Sequence, residues 1–396
     1  MLASVLLDLL LLVTLASYTA FGYRNGLSGS VFVIVGVVIG VIAAFFLAPL
    51  VASVVPSPVG RLLVTLILAI GLIAAAQSGG AQLGRRVRAG VEKTAGSRLS
   101  MADKVAGAVV TAIASALLIS TVAFSLLQLG VPALSRTISG SAVLKVITKL
   151  TPDPVAAWLA EIRSAALQAG LPIISGALGN QKAVIPNIDA GSAALTRAGH
   201  SVVRITGNAF ACGQSQAGSG FVVADDRVIT NAHVVAGVSE PTIEVPNGQV
   251  LAGRIVYFDP TDDLAVIAVP GLSATPLPLS NTLPTGTDAA VEGYPYGGPF
   301  AAGAADVMSV SAPRVSNIYG TKYSPREVYT LATRVREGNS GGPLLSLDGE
   351  VAGVVFARSE EDPNVGFAMT MTEVDPVAER APALNQTVSS GNCIRG

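Results

Sequence analysis

The stretch GNSGGPLLSLDGEVAGVVFA, at residues 338–357, decides the fold of the C-terminal half of the chain. Gly338 allows the backbone to turn just before Ser340, and the Gly-Gly-Pro of residues 341–343 turns it tightly again without side-chain bulk. An apolar run rich in Leu and Val follows at once, which is the composition of a strand. The stretch therefore predicts a serine that is held on a tight turn in front of a strand.

This turn belongs to a long β-rich segment that begins at Ser201. Short runs of Val, Ile, Thr, Tyr and Phe recur there between turn residues, as expected for strands. The runs are SVVRI, SGFVVA, RVITNAHVV, TIEVP, GRIVYF, LAVIAV, AAVEGY, EVYTLAT and EVAGVVF. Many short strands at such spacing predict a β-sandwich or a β-barrel.

Three chemical groups lie along this segment in the order His233, Asp263 and Ser340. Each is ordinary when taken singly, because a histidine near a strand end, an aspartate in a turn and a glycine-rich loop are common structural features. Together they supply what acyl transfer needs: a nucleophile, a base that takes its proton and a carboxylate that orients the base. The order is that of the chymotrypsin-type enzymes. The only other histidine, His200, precedes the first strand and is expected at the surface.

The glycines beside the serine support the same chemistry. Gly338 lets the backbone turn so that its own amide and the amide of Ser340 point at one spot, which predicts an oxyanion hole. The two cysteines and two histidines of the sequence show none of the usual spacings of metal ligands. We therefore expect neither a metal nor a cofactor.

These motifs resemble the trypsin-like proteases of the HtrA (Deg) branch over residues 201–372. The resemblance rests on SGFVVADDRVITNAHVV, TDDLAVIAV, GNSGGPLLSLDGEVAGVVFA and VGFAMT. It implies an all-β, chymotrypsin-like domain of two six-stranded β-barrels, with a catalytic triad between them and serine endopeptidase activity. It also implies that Asp263, rather than Asp262, is the triad carboxylate, because a Leu-Ala pair follows that carboxylate in the family.

The resemblance has consequences for substrate binding and for domain content. The strand that contains Val355, Phe356 and Ala357 aligns with the strand that pairs with the substrate backbone by edge-strand addition. HtrA proteases usually carry a PDZ domain after the protease domain. Only 56 residues follow Ser340 here, and they are needed to finish the second barrel.

The preference of the primary substrate pocket stays open at this point. Phe356 beside the pocket suggests limited room and an apolar preference. In contrast, Arg334, Arg336 and Glu337 just before the turn could tune the charge of the pocket. The sequence is consistent with an apolar preference and with a charge preference.

The N-terminal part of the chain is apolar enough to lie in lipid. The whole chain is 51% hydrophobic and 13% charged, with a mean hydropathy of +0.59, which is too apolar for one soluble globule. Four apolar stretches each approach the roughly 20 residues that cross a bilayer as a helix. They are residues 2–21, 31–55, 62–81 and 105–129. We predict an α-helical membrane bundle of four transmembrane helices over residues 1–130, packed through small residues of spans two and three.

A basic segment between the third and fourth stretches sets the predicted orientation. It contains Arg85, Arg86, Arg88, Lys93, Arg98 and Lys104 against Glu92 and Asp103. The positive-inside rule places this segment, as a loop, in the cytoplasm. The fourth span then carries everything after Gly130 outward. We expect a multi-pass protein of the cytoplasmic membrane whose protease domain lies in the periplasm or extracytoplasmic space.

The bundle resembles the colicin V production (CvpA) family over about residues 1–130. A CvpA-like bundle ahead of an HtrA-like domain resembles the membrane-bound acid-resistance proteases of mycobacteria, and this resemblance implies a role in acid and oxidative stress. Asp8 is the only acidic residue within the four stretches. Its simplest interpretation is a carboxylate that reaches the interface from a helix end, and a proton or partner site is the alternative.

Residues 131–198 are predicted to form a helical connector and linker ahead of the protease domain at residues 199–396. The run SAVLKVITKL predicts a short amphipathic helix that ends at Pro152, and Asp153 with Pro154 supplies the start of a second helix. Residues 170–199, rich in Gly, Pro, Ser and Asn, predict an extended linker. Autoproteolysis in this linker would release the domain.

The two parts of the chain differ in the sign of their net charge. Residues 1–184 carry 13 Lys and Arg against 5 Asp and Glu, whereas residues 185–396 carry 12 against 21. The acidic second part has no electrostatic reason to bind nucleic acid.

Cys212 and Cys393 are an even pair, which outside the cytoplasm favours a disulfide. Reduction of that disulfide is a possible means of control, since it would loosen the barrel.

The leading hypothesis is a membrane-anchored serine endopeptidase that cleaves envelope or secreted proteins outside the cytoplasm. One alternative makes the membrane part primary, as a transporter-like module that uses Asp8 and is regulated by the protease-like domain. Another is a binding module on a protease fold, inactive until a partner or self-cleavage rearranges residues 336–340. No motif predicts the oligomeric state.

Overall fold

The computed structural model describes residues 2–52, 58–127, 132–152, 154–156, 158–161, 172–174, 183–209 and 214–394. These residues form two compact units. The first consists essentially of Ser4–Ser120 and the second of Thr121–Gly396. The first unit is helical, and the second contains both β-sheets and the predicted chemical groups.

The first unit contains two long helices, α1 (Leu2–Ala52) and α2 (Pro58–Leu127). Three segments of the described chain are long and apolar enough to cross a membrane: Leu2–Ala44, Ile67–Val87 and Met101–Leu127. The first has 43 residues, or about 65 Å of helix, roughly twice the hydrocarbon thickness. It includes the first predicted span and residues 31–44 of the second, and the backbone leaves helical geometry between them at Gly26. The number of four spans stays a prediction.

The basic segment between the third and fourth predicted spans is helical, so its assignment as a loop was wrong. α2 is continuous through Arg85 and Lys104. The physical reason is composition, because Arg, Lys, Ala, Glu and Leu are all favourable residues in a helix interior. The charges of the segment still bear on orientation, since that rule depends on Lys and Arg content and not on secondary structure.

Small residues bring α1 and α2 close together, as the sequence predicted. A Cβ added at Gly36 would collide with the backbone of Ala76, and one added at Gly40 would lie 2.6 Å from the Cα of Ile73. Close backbone approach through small residues is the usual packing of helices in lipid. Gly71 does not take part, because a Cβ there would meet nothing within 4 Å.

The connector begins with two short helices, α3 (Pro132–Ser139) and α4 (Ala142–Leu150). α4 is the predicted amphipathic helix, and the hydroxyl of Ser141 caps it by accepting from the Leu144 amide at 3.1 Å. The described residues 154–156 and 158–161 are helical, whereas Asp153 lies outside the described residues.

The extended linker predicted at residues 170–199 was partly wrong. Strand β1 (Ile173–Ile174) joins the second sheet, and helix α5 (Ala193–Gly199) directly precedes the first barrel. Tertiary contact overrides the polar composition here, because Leu195 of α5 is fully buried. Residues 175–182, which include part of the proposed self-cleavage region, lie outside the described residues.

The first sheet consists of strands β2 to β8 in the order β6-β5-β2-β3-β4-β8-β7, with every neighbour antiparallel. Only Gly253 separates β6 from β7, so the seven segments trace six strands. A short helix, α6 (Ala232–Val235), follows β4. The strands are β2 (Val202–Ala209), β3 (Gln214–Ala224), β4 (Arg227–Thr230), β5 (Thr242–Glu244), β6 (Val250–Ala252), β7 (Arg254–Asp259) and β8 (Leu264–Ala268).

The second sheet closes into a barrel of six strands, because β15 pairs with β16 as well as with β14. Its order is β15-β14-β9-β10-β13-β16, and β1 adds to β15 in parallel. A hairpin of β11 (Arg314–Ser316) and β12 (Tyr323–Pro325) lies between β10 and β13. The barrel strands are β9 (Asp288–Gly293), β10 (Ala301–Ser311), β13 (Val328–Ala332), β14 (Pro343–Leu345), β15 (Val351–Ser359) and β16 (Val365–Thr370).

The residues after Ser340 finish the second barrel and then return to the first. Helix α7 (Met371–Arg380) follows β16. The tail beyond it is held by the buried Arg227 of the first barrel, whose Nε donates to the carbonyls of Ala381 and Leu384 at 3.0 and 3.1 Å. Its Nη2 donates to Asn385 Oδ1 at 2.6 Å. One side chain therefore anchors the tail to the first barrel.

We predict that Arg227→Met destabilises the protein by about 2 kcal/mol, because buried carbonyls that lose a charged donor pay their full desolvation cost. Urea unfolding of the protease unit in the detergent-solubilised full chain, followed by β-sheet circular dichroism, measures this. The matched control is Arg254→Met, since Arg254 is exposed on the same barrel. Equal midpoints for the two variants would contradict the anchoring role.

Candidate active site

His233 is held in a buried position by Asp263. It lies on α6, directly after β4, and its imidazole Nδ1 is 2.7 Å from Asp263 Oδ2. The other carboxylate oxygen, Oδ1, accepts from the backbone amide of His233 at 2.9 Å. With Nδ1 directed to the carboxylate, Nε2 is the ring nitrogen left to act on a substrate or a nucleophile.

The structure separates the two neighbouring aspartates. Asp263 takes a left-handed conformation, with φ of 58°, directly before β8. Its carbonyl accepts from Asn231 Nδ2 at 3.0 Å, so the backbone is held as well as the carboxylate. Among the described residues, no hydrogen bond or ion pair joins Asp262 to His233. Its amide donates to Asp259 Oδ1 at 3.2 Å, and burial raises the pKa of its carboxyl, with a smaller contribution from Asp259.

Ser340 lies on the glycine turn, which we define as residues 338–342. The residue is buried, and its Oγ has no hydrogen-bond partner within the described part of the chain. The turn is tied to β15 by two bonds: the Gly341 amide donates to the Val355 carbonyl at 2.8 Å, and the Val355 amide donates to the Gly342 carbonyl at 2.9 Å. The serine is thus fixed through its backbone, and its Oγ is buried without a hydrogen bond to His233 or to any other described residue.

The two amides predicted to form an oxyanion hole have no other acceptor. Neither the Gly338 nor the Ser340 N–H donates to a protein group among the described residues. The carbonyl of Glu337 accepts from the Tyr296 amide. In a trans peptide the N–H points opposite to the C=O, so the Gly338 amide is directed away from Tyr296.

Comparison with known proteins gives two matching families. The trypsin-like peptidase domain matches residues 218–354, and the colicin V production protein matches residues 7–152. The serine protease Rv3671c of Mycobacterium tuberculosis H37Rv is 33% identical over 388 residues, which cover 94% of each chain. The chain belongs to the Rv3671c family of serine proteases.

Two further relatives agree with this membership. The crystal structure of the active Rv3671c protease superposes with a TM-score of 0.52 at 36% identity, covering 55% of this chain and 98% of that one. The mitochondrial serine protease HTRA2 of Bos taurus is 37% identical over 144 residues, which are 35% of this chain and 30% of that protein. The predicted resemblance to the HtrA branch, to CvpA and to the mycobacterial protease MarP is confirmed, and the chain is a serine endopeptidase.

Ser219 of this Rv3671c-family protease was missed by the sequence analysis. Its amide donates to the Ser340 carbonyl at 2.8 Å, and its Oγ donates to the Gly338 carbonyl at 2.6 Å. The same Oγ accepts from the Tyr294 amide at 2.9 Å. One side chain of the first barrel therefore positions the glycine turn of the second. The run SGFVVA that contains it indicated a strand but gave no sign of this role.

The residues predicted to bind substrate lie on β15 but are themselves buried. Val355 bonds to the glycine turn, and Phe356 packs in the core with the Arg326 guanidinium 5.5 Å from its ring centre. Beyond Ala357 the strand pairs with β1, where the Arg358 amide donates to the Pro172 carbonyl at 3.2 Å. A substrate strand that extended along this edge would compete with that segment.

Glu292 is a second residue that the sequence analysis missed. It lies in the buried run AAVEGY of β9, next to the residues that bond Ser219, and is only 1% exposed. Its Oε2 has no hydrogen-bond partner among the described residues, and burial raises the pKa of its carboxyl to about 8. A lone glutamate in an otherwise apolar strand was the available signal. At neutral pH this carboxyl is mostly protonated.

Among the described residues no group of three or more His, Cys, Asp and Glu could hold a metal ion.

We predict that Glu292 makes the folded protein more stable in acid. Between its ordinary pKa of 4.5 and about 8, the folded state keeps a proton that the unfolded state releases. The free energy of unfolding therefore falls as pH rises, by up to about 1.4 kcal/mol per unit. Glu292→Gln removes this dependence, so its melting temperature should exceed that of the wild type increasingly from pH 5 to 8. Parallel curves for the two proteins would contradict the prediction.

Proposed function

We propose that this serine endopeptidase uses Ser340 as nucleophile, His233 as general base and acid, and Asp263 as the group that orients His233. The observation that carries the proposal is the buried His233–Asp263 pair, 2.7 Å apart, combined with a Ser340 hydroxyl that has no described partner. Gly338 and Ser340 supply the oxyanion amides, and the strand with Val355, Phe356 and Ala357 supports the substrate.

The proposed reaction has two balanced halves. Nε2 of His233 takes the proton of Ser340 Oγ as that oxygen attacks the substrate carbonyl, and the two amides stabilise the resulting oxyanion. Collapse of the intermediate breaks the peptide bond, and the imidazolium returns the proton to the leaving amine. Water then attacks the acyl-enzyme with His233 as base again, which releases the carboxylate product and regenerates Ser340.

The proposed setting is the outer face of the cytoplasmic membrane. Apolar helices and the CvpA match support membrane association, and the Arg and Lys content of residues 85–104 favours a cytoplasmic position for that segment. The protease unit would then act in the extracytoplasmic space on exposed segments of envelope or secreted proteins. The resemblance to the acid-resistance proteases stated in the sequence analysis implies a role in acid and oxidative stress, and the raised pKa of Glu292 is consistent with work at low pH.

The catalytic assignment predicts how a fluorophosphonate probe labels the detergent-solubilised full chain. Wild type should be labelled, and Ser340→Ala should lose labelling because the attacked hydroxyl is gone. His233→Ala and Asp263→Asn should label at least about 10³-fold more slowly, because the base or its orientation is lost. In-gel fluorescence over time gives the rates.

Two neighbours provide matched controls for these variants. His200→Ala removes the only other histidine, and Asp262→Asn changes the adjacent aspartate. Both should be labelled at the wild-type rate. A slow Asp262→Asn variant beside a fast Asp263→Asn variant would reverse the assignment of the carboxylate, and an unlabelled wild type would favour the gated binding module.

We further infer a disulfide between Cys212 and Cys393. Cys212 lies outside the described residues, but β2 ends three residues before it at Ala209. A Cβ added at Gly237 would lie 3.3 Å from the Ala209 Cβ and 2.9 Å from the Cys393 Sγ, so both chain ends approach one point. Closing this loop would destabilise the unfolded chain by roughly 5 kcal/mol in the entropy model.

Reduction should therefore lower the melting temperature of the wild type by several degrees, and the double variant Cys212→Ala, Cys393→Ala should not respond to reductant. Differential scanning fluorimetry with and without dithiothreitol tests this, and peptide cleavage by the same samples tests redox control. Two titratable thiols in the unreduced wild type would disprove the disulfide. Equal cleavage by wild type and double variant in oxidant would disprove the control.

A further inference from the structure

A cavity of about 310 Å³ lies beside the glycine turn. Residues 334–337, which directly precede Gly338 in the chain, form one wall, and Arg358 of β15 contributes another. The two walls are joined through the Gly341–Val355 hydrogen bond described above. We call this space the arginine cavity, lined by Tyr296, Arg334, Val335, Arg336, Glu337 and Arg358.

Three guanidinium groups line the cavity, and other contacts hold two of them in place. Arg334 Nε donates to Asn364 Oδ1 at 2.8 Å, and the Arg336 guanidinium lies 5.8 Å from the centre of the Tyr296 ring. No carboxylate of the described chain lies within 4 Å of these three groups as an ion-pair partner. These three guanidinium groups are therefore not neutralised by an ion pair with a described carboxylate.

Two acidic groups face this charge, and neither cancels it. Glu337 is part of the wall, and burial raises the pKa of its carboxyl, opposed by Arg358. Glu161 of the connector is near enough to Tyr296 to raise the pKa of that phenol, after the larger effect of burial. Among the residues that line the cavity, three guanidinium groups stand against the single carboxyl of Glu337.

Geometry relates the cavity to one residue of the substrate. A carbonyl held by the Gly338 and Ser340 amides belongs to the residue that is cleaved on its carboxyl side. The side chain of that residue is attached to the Cα next to the carbonyl carbon. Because residues 334–337 directly precede Gly338, we expect this side chain within a few ångströms of the wall that they form. Phe356, the apolar candidate for this pocket, is only 2% exposed and is not part of the cavity wall.

We infer that the arginine cavity selects glutamate or aspartate at the position whose carbonyl is attacked, with Arg334, Arg336 and Arg358 as specificity-determining residues. The inference rests on the proposed function, since it uses the same turn and nucleophile. Charge-assisted bonds between guanidinium and carboxylate are stronger than neutral hydrogen bonds. A neutral isostere such as glutamine leaves the guanidinium groups without that partner.

The test uses the full chain in detergent and internally quenched peptides that are identical except for Glu, Gln or Leu at the attacked position. The kcat/KM for Glu should exceed that for Gln by about tenfold in low salt, which corresponds to one carboxylate contact of about 1.4 kcal/mol. Raising the salt from about 0.05 to 0.5 M should bring the ratio towards one, because partly exposed charges are screened. Mass spectrometry of the products identifies the cleaved bond.

Charge variants locate the effect. Arg358→Gln and Arg334→Gln should each lower the ratio of Glu to Gln cleavage at least about threefold, and Arg358→Glu should favour a Lys peptide. The control Arg254→Gln removes the same charge from an exposed site on the first barrel and should keep the wild-type ratio. Circular dichroism and a melting curve show that each variant is folded, and the ratio of Glu to Gln cleavage within one variant does not depend on its overall rate.

The outcomes separate the inference from the proposed function. A wild type that labels at Ser340 but cleaves Gln or Leu peptides as well as Glu peptides overturns the inference and leaves the triad assignment standing. A wild type that neither labels nor cleaves overturns the proposed function. In that case anisotropy of the same peptides with the Ser340→Ala chain decides the inference, and equal Kd values for Glu and Gln would overturn it.

Discussion

The hydrogen bonds that hold the glycine turn between the two barrels are the constraint on which the site depends. Ser219 bonds to the turn from the first barrel, and Val355 bonds to it from the second. The backbone can accept these bonds because Gly338 and Gly341 adopt positive φ values of 88° and 81°, a region that other residues enter only with strain. The bonds use backbone atoms of the turn, and the Ser340 Oγ has no hydrogen-bond partner among the described residues.

Buried ionisable side chains near this turn are stabilised in two ways. Arg204 is paired with Glu244 and donates to the Gly297 carbonyl, and Asp263 is paired with His233. Glu292 has no described partner for its Oε2, and its carboxyl avoids the cost of an isolated buried charge by remaining protonated. An ion pair stabilises both charges wherever both partners are ionised. A carboxyl that stays protonated only in the folded state makes the free energy of unfolding depend on pH. Glu292 therefore makes the folded state more stable at low pH than at high pH.

Sequence reasoning succeeded where the signal is local and failed where a distant contact decides. Strand-forming runs, the cap of α4 and the small residues of α1 could each be predicted from neighbours in the chain. The polar composition of residues 170–199 concealed β1 and α5, because the first pairs with β15 and the second buries Leu195. Charge in residues 85–104 indicated a loop, although the same residues are good helix formers and the segment is helical.

By itself the sequence determined the fold class and the chemistry of this protein. Strand periodicity and the GNSGGP turn are written in consecutive residues, and the same stretches predicted His233 as base and Ser340 as nucleophile. The tertiary structure alone decided which groups meet: Ser219 with Gly338 across 119 positions, Arg358 with residues 334–337 around one cavity, and Phe356 with the core. The physical reason is that such contacts depend on how two barrels pack, and no local pattern records that packing.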